Sequence, residues 1–277
     1  MQIRSCGLFL ILGLVHSLTQ APVAQAAEWD IESANFQIRT FRGGPSASQL
    51  LKQCEALRSD LQQVWLTAED RGDWSPRCQV YVHATKASYQ TAVGRGAAQT
   101  SGSSLIQAVR GEIISRRIDL LYDAQKGTSA LPHELTHVVL ADRFENGRPP
   151  RWLDEGVATM ADSPEKRMLH HRDCHQALQS GDALRVVQLL RLEQFTSAKQ
   201  VPAFYGQSLS LVHFLAEQDE PTRLIDFAEA ASKRGYDRAL REIYQIEGIE
   251  ELERRWRKYA WEVGPKAPQS LVSFIAP

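Results

Sequence analysis

Two histidines four positions apart, with a glutamate directly after the first, form the most chemically suggestive stretch of the sequence: His133-Glu134-Leu135-Thr136-His137. Because positions i and i+4 share one face of a helix, both imidazoles can point at one zinc ion. Glu134 lies beside them and can take a proton from a zinc-bound water, as in zinc hydrolases with the His-Glu-x-x-His pattern. The pattern predicts a helical zinc site with Glu134 as general base. The alternative is a surface helix carrying two solvated histidines.

A catalytic zinc ion takes three protein ligands and keeps a fourth position for water. Glu155 follows His137 by 18 positions, after a Pro149-Pro150 turn that lets a second helix return beside the first. Glu155 would complete a site of two histidines and one glutamate, with one zinc ion per chain. The following Gly156 would allow the helices to approach closely. The alternative for Glu155 is an ordinary acidic residue in the first turn of a helix.

The two segments His-Glu-Leu-Thr-His and Trp-Leu-Asp-Glu-Gly together resemble those of the gluzincin zinc peptidases, most closely the peptidase MA-like group. The resemblance implies that His133, His137 and Glu155 bind zinc. It also implies that Glu134 is the catalytic base. Tyr205 is the candidate donor to the oxyanion, because related gluzincins use a tyrosine downstream of the glutamate ligand. The alternative for Tyr205 is a packed aromatic side chain with a satisfied hydroxyl.

The sequence departs from its relatives at two points. It lacks the Gly-x-Met-Glu-Asn segment with which aminopeptidases of the wider clan recognise a free amino terminus, so we expect an endopeptidase. Thermolysin-like members carry an aspartate four positions after the glutamate ligand, where this chain has Thr159. Asp154 and Asp162 are the alternatives for orienting a zinc histidine.

The elements that must position these residues follow from hydrophobic periodicity. Alternating residues predict strands near residues 36–41, 79–83 and 110–121, with a helix over residues 50–64 and a glycine-rich loop over residues 94–102. Helical spacing then recurs near residues 130–142, 152–161, 183–195, 206–217, 222–232, 237–246 and 249–262. The order predicts an α+β fold in which a small mixed sheet from the front half packs on a zinc-binding helical half, as in the gluzincins.

The amino terminus has the organisation of a secretory signal peptide. Arg4 precedes an apolar run, and Ala24-Gln25-Ala26 supplies the small residues that a signal peptidase recognises. We therefore expect a signal peptide over residues 1–26, a peptidase domain over 27–265 and a tail over 266–277. The mature protein would be periplasmic or secreted, without stable membrane insertion. An uncleaved anchor is the alternative.

Charge and composition limit the partners. The 32 lysines and arginines nearly balance the 33 aspartates and glutamates, giving a net charge of −1. Nucleic-acid-binding proteins usually show a basic excess or a basic block, and neither is present. The expected partner is a peptide or protein substrate, and the oligomeric state stays open.

The remaining cysteines and histidines allow weaker interpretations. Export permits a disulfide, for which Cys54 and Cys78 are the first choice, leaving Cys174 free; three buried thiols are the alternative. His171 and His175 lie one helical turn apart and are expected on a solvated helix face, with a second metal site as the alternative. His213 lies among apolar residues and is expected in the core.

These features together predict an exported zinc metallopeptidase that hydrolyses peptide bonds by Glu-assisted attack of zinc-bound water. Two alternatives are left open. One is a catalytically inactive, peptidase-like binding protein, and the other is a zinc hydrolase of a non-peptide substrate.

Overall fold

The structure of the chain is a computed structural model that describes residues 29–94, 99–144 and 147–264. The predicted signal peptide and the predicted tail over residues 266–277 lie outside these ranges. Within them, no helix is both long enough and apolar enough to cross a membrane.

The described residues contain one mixed sheet with the strand order β1-β2-β3-β5-β4. The strands are β1 (Ile31–Glu32), β2 (Phe36–Arg39), β3 (Cys78–His83), β4 (Gly102–Val109) and β5 (Glu112–Leu121). The three central strands β2, β3 and β5 are parallel, while β1 and β4 pair antiparallel at the two edges.

The hairpin of β4 and β5 differs from the prediction, because β4 was not expected from the sequence. Arg110 and Gly111 join the two strands with φ angles of 54° and 88°. A two-residue turn with both φ angles positive matches the right-handed twist of the strands it connects. β4 is therefore an edge strand whose first residue, Gly102, lies at the end of the predicted loop.

Helix α1 (Ala47–Trp65) covers one face of the sheet, as its periodicity predicted, and Ser46 caps its amino terminus. A second helix, α2 (Lys86–Val93), follows β3. Alternate residues of β3 are buried, which is the pattern of a strand packed on one face. The core between α1 and the sheet contains Phe36, Ile38, Leu50, Cys54, Leu57, Leu61, Cys78, Val80 and Ile118.

Among the residues described, the helical half contains five longer helices and two short ones before the carboxyl-terminal helix. The helices are α3 (Leu131–Ala141), α4 (Arg151–Met160), α5 (Pro164–Ser180), α6 (Val186–Leu189), α7 (Gln200–Ala216), α8 (Pro221–Arg234), α9 (Tyr236–Ala239) and α10 (Ile249–Val263), with a π turn over Leu240–Tyr244. Helix α7 is the centre of this half and contacts α4, α5, α8 and α10. The α+β prediction is confirmed. The gluzincin-like arrangement of its parts stays a prediction.

The predicted Cys54–Cys78 disulfide is wrong in this structure. Cys54, Cys78 and Cys174 are all free and buried. Cys54 and Cys78 do face the same core between α1 and the sheet, as the periodicity indicated. Sharing a core layer does not supply the narrow Cα and Cβ geometry that a disulfide requires. Both thiols instead pack as small apolar side chains, and burial raises the pKa of Cys54 to about 12.

Candidate active site

Helix α3 presents its two histidines toward α4 because the rest of its surface is buried. Pro132 lies in the first helical turn, where its missing N–H group costs no hydrogen bond. The opposite face is anchored in the core by Leu131, Leu135, Val138, Val139 and Leu140. His133 and His137 consequently lie one turn apart on the remaining face, with ring centroids separated by 4.9 Å.

The structure brings the three predicted zinc ligands together. Glu155 lies on α4, and its Oε2 atom is 3.7 Å from His133 Nε2 and 4.0 Å from His137 Nε2. One potential ligand atom from each residue falls within 4.8 Å of the other two. The three side chains are only 11 to 17% exposed. Two imidazole nitrogens and one carboxylate oxygen form the donor set of a catalytic zinc site, so these residues fit the metal.

A carboxylate lies close to the Nδ1 atom of each histidine. His133 Nδ1 is 3.2 Å from Asp162 Oδ2, and Lys166 donates to the other oxygen of that carboxylate at 2.9 Å. His137 Nδ1 is 2.7 Å from Asp154 Oδ1, in a close contact that is poorly aligned for a hydrogen bond. With both Nδ1 atoms facing acceptors, the Nε2 atoms are the ones left for a metal. Both aspartates considered in the sequence analysis therefore contact a histidine.

The electrostatics of the metal-free site favour its charged forms. Burial acts to lower the pKa of His137, but the charge of Asp154 and its contact with the ring outweigh that effect and raise the pKa to about 10. Burial, opposed by Asp162 and Glu155, leaves the pKa of His133 raised as well. For Glu155 the two histidines overcome burial and lower the pKa. The surrounding carboxylates therefore outweigh burial and stabilise a positive charge on the two histidines.

Glu134 and Tyr205 also lie at this cluster. Glu134 lies on α3, between the two histidines in the sequence, and is 8% exposed. Tyr205, on α7, donates a hydrogen bond from its hydroxyl to Glu155 Oε1 at 3.2 Å. Burial, followed by the charge of Glu155, raises the pKa of Tyr205 well above its ordinary value. The hydroxyl therefore stays protonated and remains a donor across the neutral and alkaline range.

Two glycines let α7, which carries Tyr205, pack closely against its neighbouring helices α4 and α5. A Cβ atom on Gly156 would lie 2.6 Å from Val212 Cγ2 and 2.7 Å from the Ser208 carbonyl oxygen on α7. A Cβ atom on Gly206 would lie 2.6 Å from the backbone nitrogen of Cys174 on α5. The absence of side chains at both positions lets α7 pack directly against α4 and α5.

His170 also lies at this cluster, although the sequence pattern did not predict it as a site residue. Its ring stacks on the Tyr205 ring, with centroids 5.7 Å apart and an interplanar angle of 30°. The expected solvated position is wrong for His171, which is 3% exposed and whose ring contacts that of His213, while His175 is half-buried. His213 is buried in the core, as predicted. Hydrophobic periodicity treats histidine as a polar residue, so it could not have predicted that these rings pack against other side chains.

Comparison with known proteins gives one family. Residues 72–262 match the model of the family described as the Peptidase MA superfamily. The match runs from just before β3 to the end of α10 and so includes His133, His137 and Glu155. No curated protein matches the chain.

Proposed function

The chain belongs to the Peptidase MA superfamily, and we propose that it is a zinc-dependent metallopeptidase that hydrolyses peptide bonds within a chain. The observation that carries this proposal is the convergence of His133, His137 and Glu155 from two helices, with Glu134 beside them. A purely structural metal site has no use for an adjacent base.

We assign the metal to His133, His137 and Glu155. A zinc ion held there would polarise the carbonyl of the substrate and lower the pKa of water. Asp162 and Asp154 keep the two imidazoles oriented through their Nδ1 atoms. The chain thus contributes a rigid donor set, built on two packed helices.

Glu134 is assigned as the general base that accepts a proton from the attacking water. Tyr205 is assigned as the donor to the negative charge that develops on the carbonyl oxygen. Its hydroxyl already reaches Glu155, at 3.2 Å, so a small rotation of the side chain would turn it from that carboxylate to a substrate oxygen. Low exposure of the site keeps bulk water away from both groups.

The proposal includes export. The residues 1–26 have the composition of a cleaved signal peptide, so we expect the enzyme to act in the periplasm or outside the cell. Its partner is a peptide or protein substrate.

The test is a substitution that removes the base and leaves the metal donors. Glu134→Gln keeps the size of the side chain, so zinc content should stay at about one ion per chain while hydrolysis of a diverse peptide pool falls by roughly 10²-fold or more. Glu69→Gln changes an exposed glutamate and is the matched control. A chelator should abolish activity in both the wild type and the control.

The outcomes separate the alternatives. Full activity in Glu134→Gln would exclude the mechanism. Zinc binding without cleavage of any peptide, by the wild-type protein, would favour a binding protein or a hydrolase of non-peptide substrates. Metal analysis that finds no zinc after supplementation at neutral pH would remove the assignment of the metal.

A further inference from the structure

We propose that Gly102, the first residue of the edge strand β4, is a positioning residue for Glu134. The proposal rests on the function assigned above and deepens it by naming what holds the base in place. Gly102 is buried and pairs with Leu120 of β5, so its backbone position is fixed by the sheet. The strand runs directly past the amino-terminal turn of α3.

The contact is too close for any side chain at position 102. A Cβ atom there would lie 2.7 Å from Glu134 Cγ, 2.7 Å from Glu134 Oε1 and 2.7 Å from Ala130 Cβ. Real Cβ atoms essentially never approach other heavy atoms this closely, so one partner would have to move. Ala130 is fixed to the start of the helix, whereas the Glu134 side chain can rotate. Once the fixed contact with Ala130 is removed, the Glu134 carboxylate is therefore the group that would be displaced.

Packing is also what restrains this carboxylate. Within residues 29–94, 99–144 and 147–264, no hydrogen bond holds the side chain of Glu134. The strand backbone at Gly102 thus limits where the carboxylate can lie, while leaving its oxygens free to accept a proton. A glycine at position 102 allows the base to stand close to the strand.

The backbone conformation at position 102 does not require a glycine, and the close contact with Glu134 explains why a glycine is there. Gly102 is not among the glycines with positive φ angles in the described residues. Its missing Cβ atom is what the site uses, and the same holds for Gly156 and Gly206 on the other side of the metal ligands.

The test is a thermodynamic and kinetic cycle between positions 102 and 134. All variants carry Ala130→Gly, which removes the second close contact and is tolerated at a helix cap. In this background Gly102→Ala should lower kcat about 100-fold, because a displacement of the base by about 1 Å has an effect of that size. KM and zinc content should stay unchanged. Gly72→Ala, at a position with no atom within 4 Å of the added Cβ, is the control.

Thermal unfolding gives a second result that does not depend on activity. Gly102→Ala should lower Tm when Glu134 is present and lower it much less when Glu134→Ala has removed the contacting atoms. Should Gly102→Ala alone fail to fold, recovery of folding in the double variant supports the contact, and equal failure overturns it. Wild-type kcat in Gly102→Ala, or equal Tm losses in the two backgrounds, would also overturn the proposal. If the wild-type protein hydrolyses nothing, the proposed function fails while the Tm coupling still tests the role of Gly102.

Discussion

At the scale of single residues, the carboxylates that lie close to Nδ1 of His133 and His137 leave the Nε2 atoms facing the metal site. The pattern of His133, Glu134 and His137 predicted which side chains converge, because a helix fixes the spacing of residues i and i+4. The pattern could not predict that Asp162 contacts His133 while Asp154 contacts His137. The Asp162 contact depends on how α4 ends and turns into α5, and the Asp154 contact on how the start of α4 packs against α3. Neither arrangement can be read from the local sequence.

The aspartate beside His137 makes zinc binding dependent on pH. With its pKa raised to about 10, the metal-free His137 is protonated at pH 8, whereas a metal ligand must be neutral. Zinc binding at pH 8 should therefore release a proton from this ring. The apparent zinc affinity should rise from pH 7 to pH 9.

Replacing Asp154 with asparagine removes the main charge that raises the pKa of His137. The variant should release fewer protons at pH 8, as measured by calorimetry of zinc binding in buffers of different ionisation enthalpy. Asp60→Asn changes an exposed aspartate on α1 and should release as many protons as the wild type. The same proton count in Asp154→Asn and in the wild type would contradict the role of Asp154.

At the scale of the secondary-structure elements, hydrophobic periodicity predicted the helices and strands whose buried residues are apolar. Helices α3 and α7 were found because leucine and valine occupy their inner faces. A helix face was expected around His171, but hydrophobic periodicity did not predict the extent of α5, because Arg167 and His171 occupy two of its buried positions. Strand β4 was not predicted because Gly102 is its only buried residue, so no alternation of buried apolar side chains marks the strand.

The glycines on α4 and α7 should be more sensitive than their size suggests. Gly156→Ala places a methyl group against the backbone of α7, so the two helices must move apart. We expect the variant to lose about 1–3 kcal/mol of unfolding free energy, the usual effect of overpacking. We also expect weaker zinc binding, because Glu155 precedes Gly156 on the displaced helix.

Chemical denaturation of metal-free protein and zinc competition with a chelator measure the two effects of Gly156→Ala separately. Gly72→Ala is again the control, since its Cβ atom would meet open space. Unchanged stability together with unchanged zinc affinity would show that α4 and α7 tolerate the added methyl group, and would remove the packing argument for Gly156.

At the scale of the whole molecule, one continuous core joins the sheet to the helical half. This core contains polar groups that the composition could not reveal as buried. His171 and His213 meet between α5 and α7, with ring centroids 5.4 Å apart. Three of their four ring nitrogens are buried without a hydrogen-bond partner among the described residues. Within the part of the chain that the structure describes, these three nitrogens therefore have no acceptor to stabilise a positive charge.

This buried pair should make the protein sensitive to acid. Burial, followed by the charges of His170 and Arg167, lowers the pKa of His171 to about 4. Burial, followed by His171 and Arg167, lowers the pKa of His213 to about 3. In the unfolded chain both rings titrate near 6.5. The unfolded state thus binds protons that the folded state does not, so stability is complete above pH 6.5 and falls as the pH decreases toward 4.

The substitution His213→Phe tests this account, because it keeps a ring of similar size and removes one of the two titrating groups. Each such histidine contributes a slope of about 1.4 kcal/mol per pH unit between its two pKa values. The unfolding free energy of the variant should therefore fall less steeply than that of the wild type, by about that amount per pH unit between pH 6 and pH 4.5. At pH 7.5 the two proteins should agree within about 1.5 kcal/mol, the usual limit for a volume-conserving replacement. Loss of metal affects both proteins alike, so the comparison isolates His213, and equal slopes in urea denaturation across this pH range would show that the buried pair does not control acid stability.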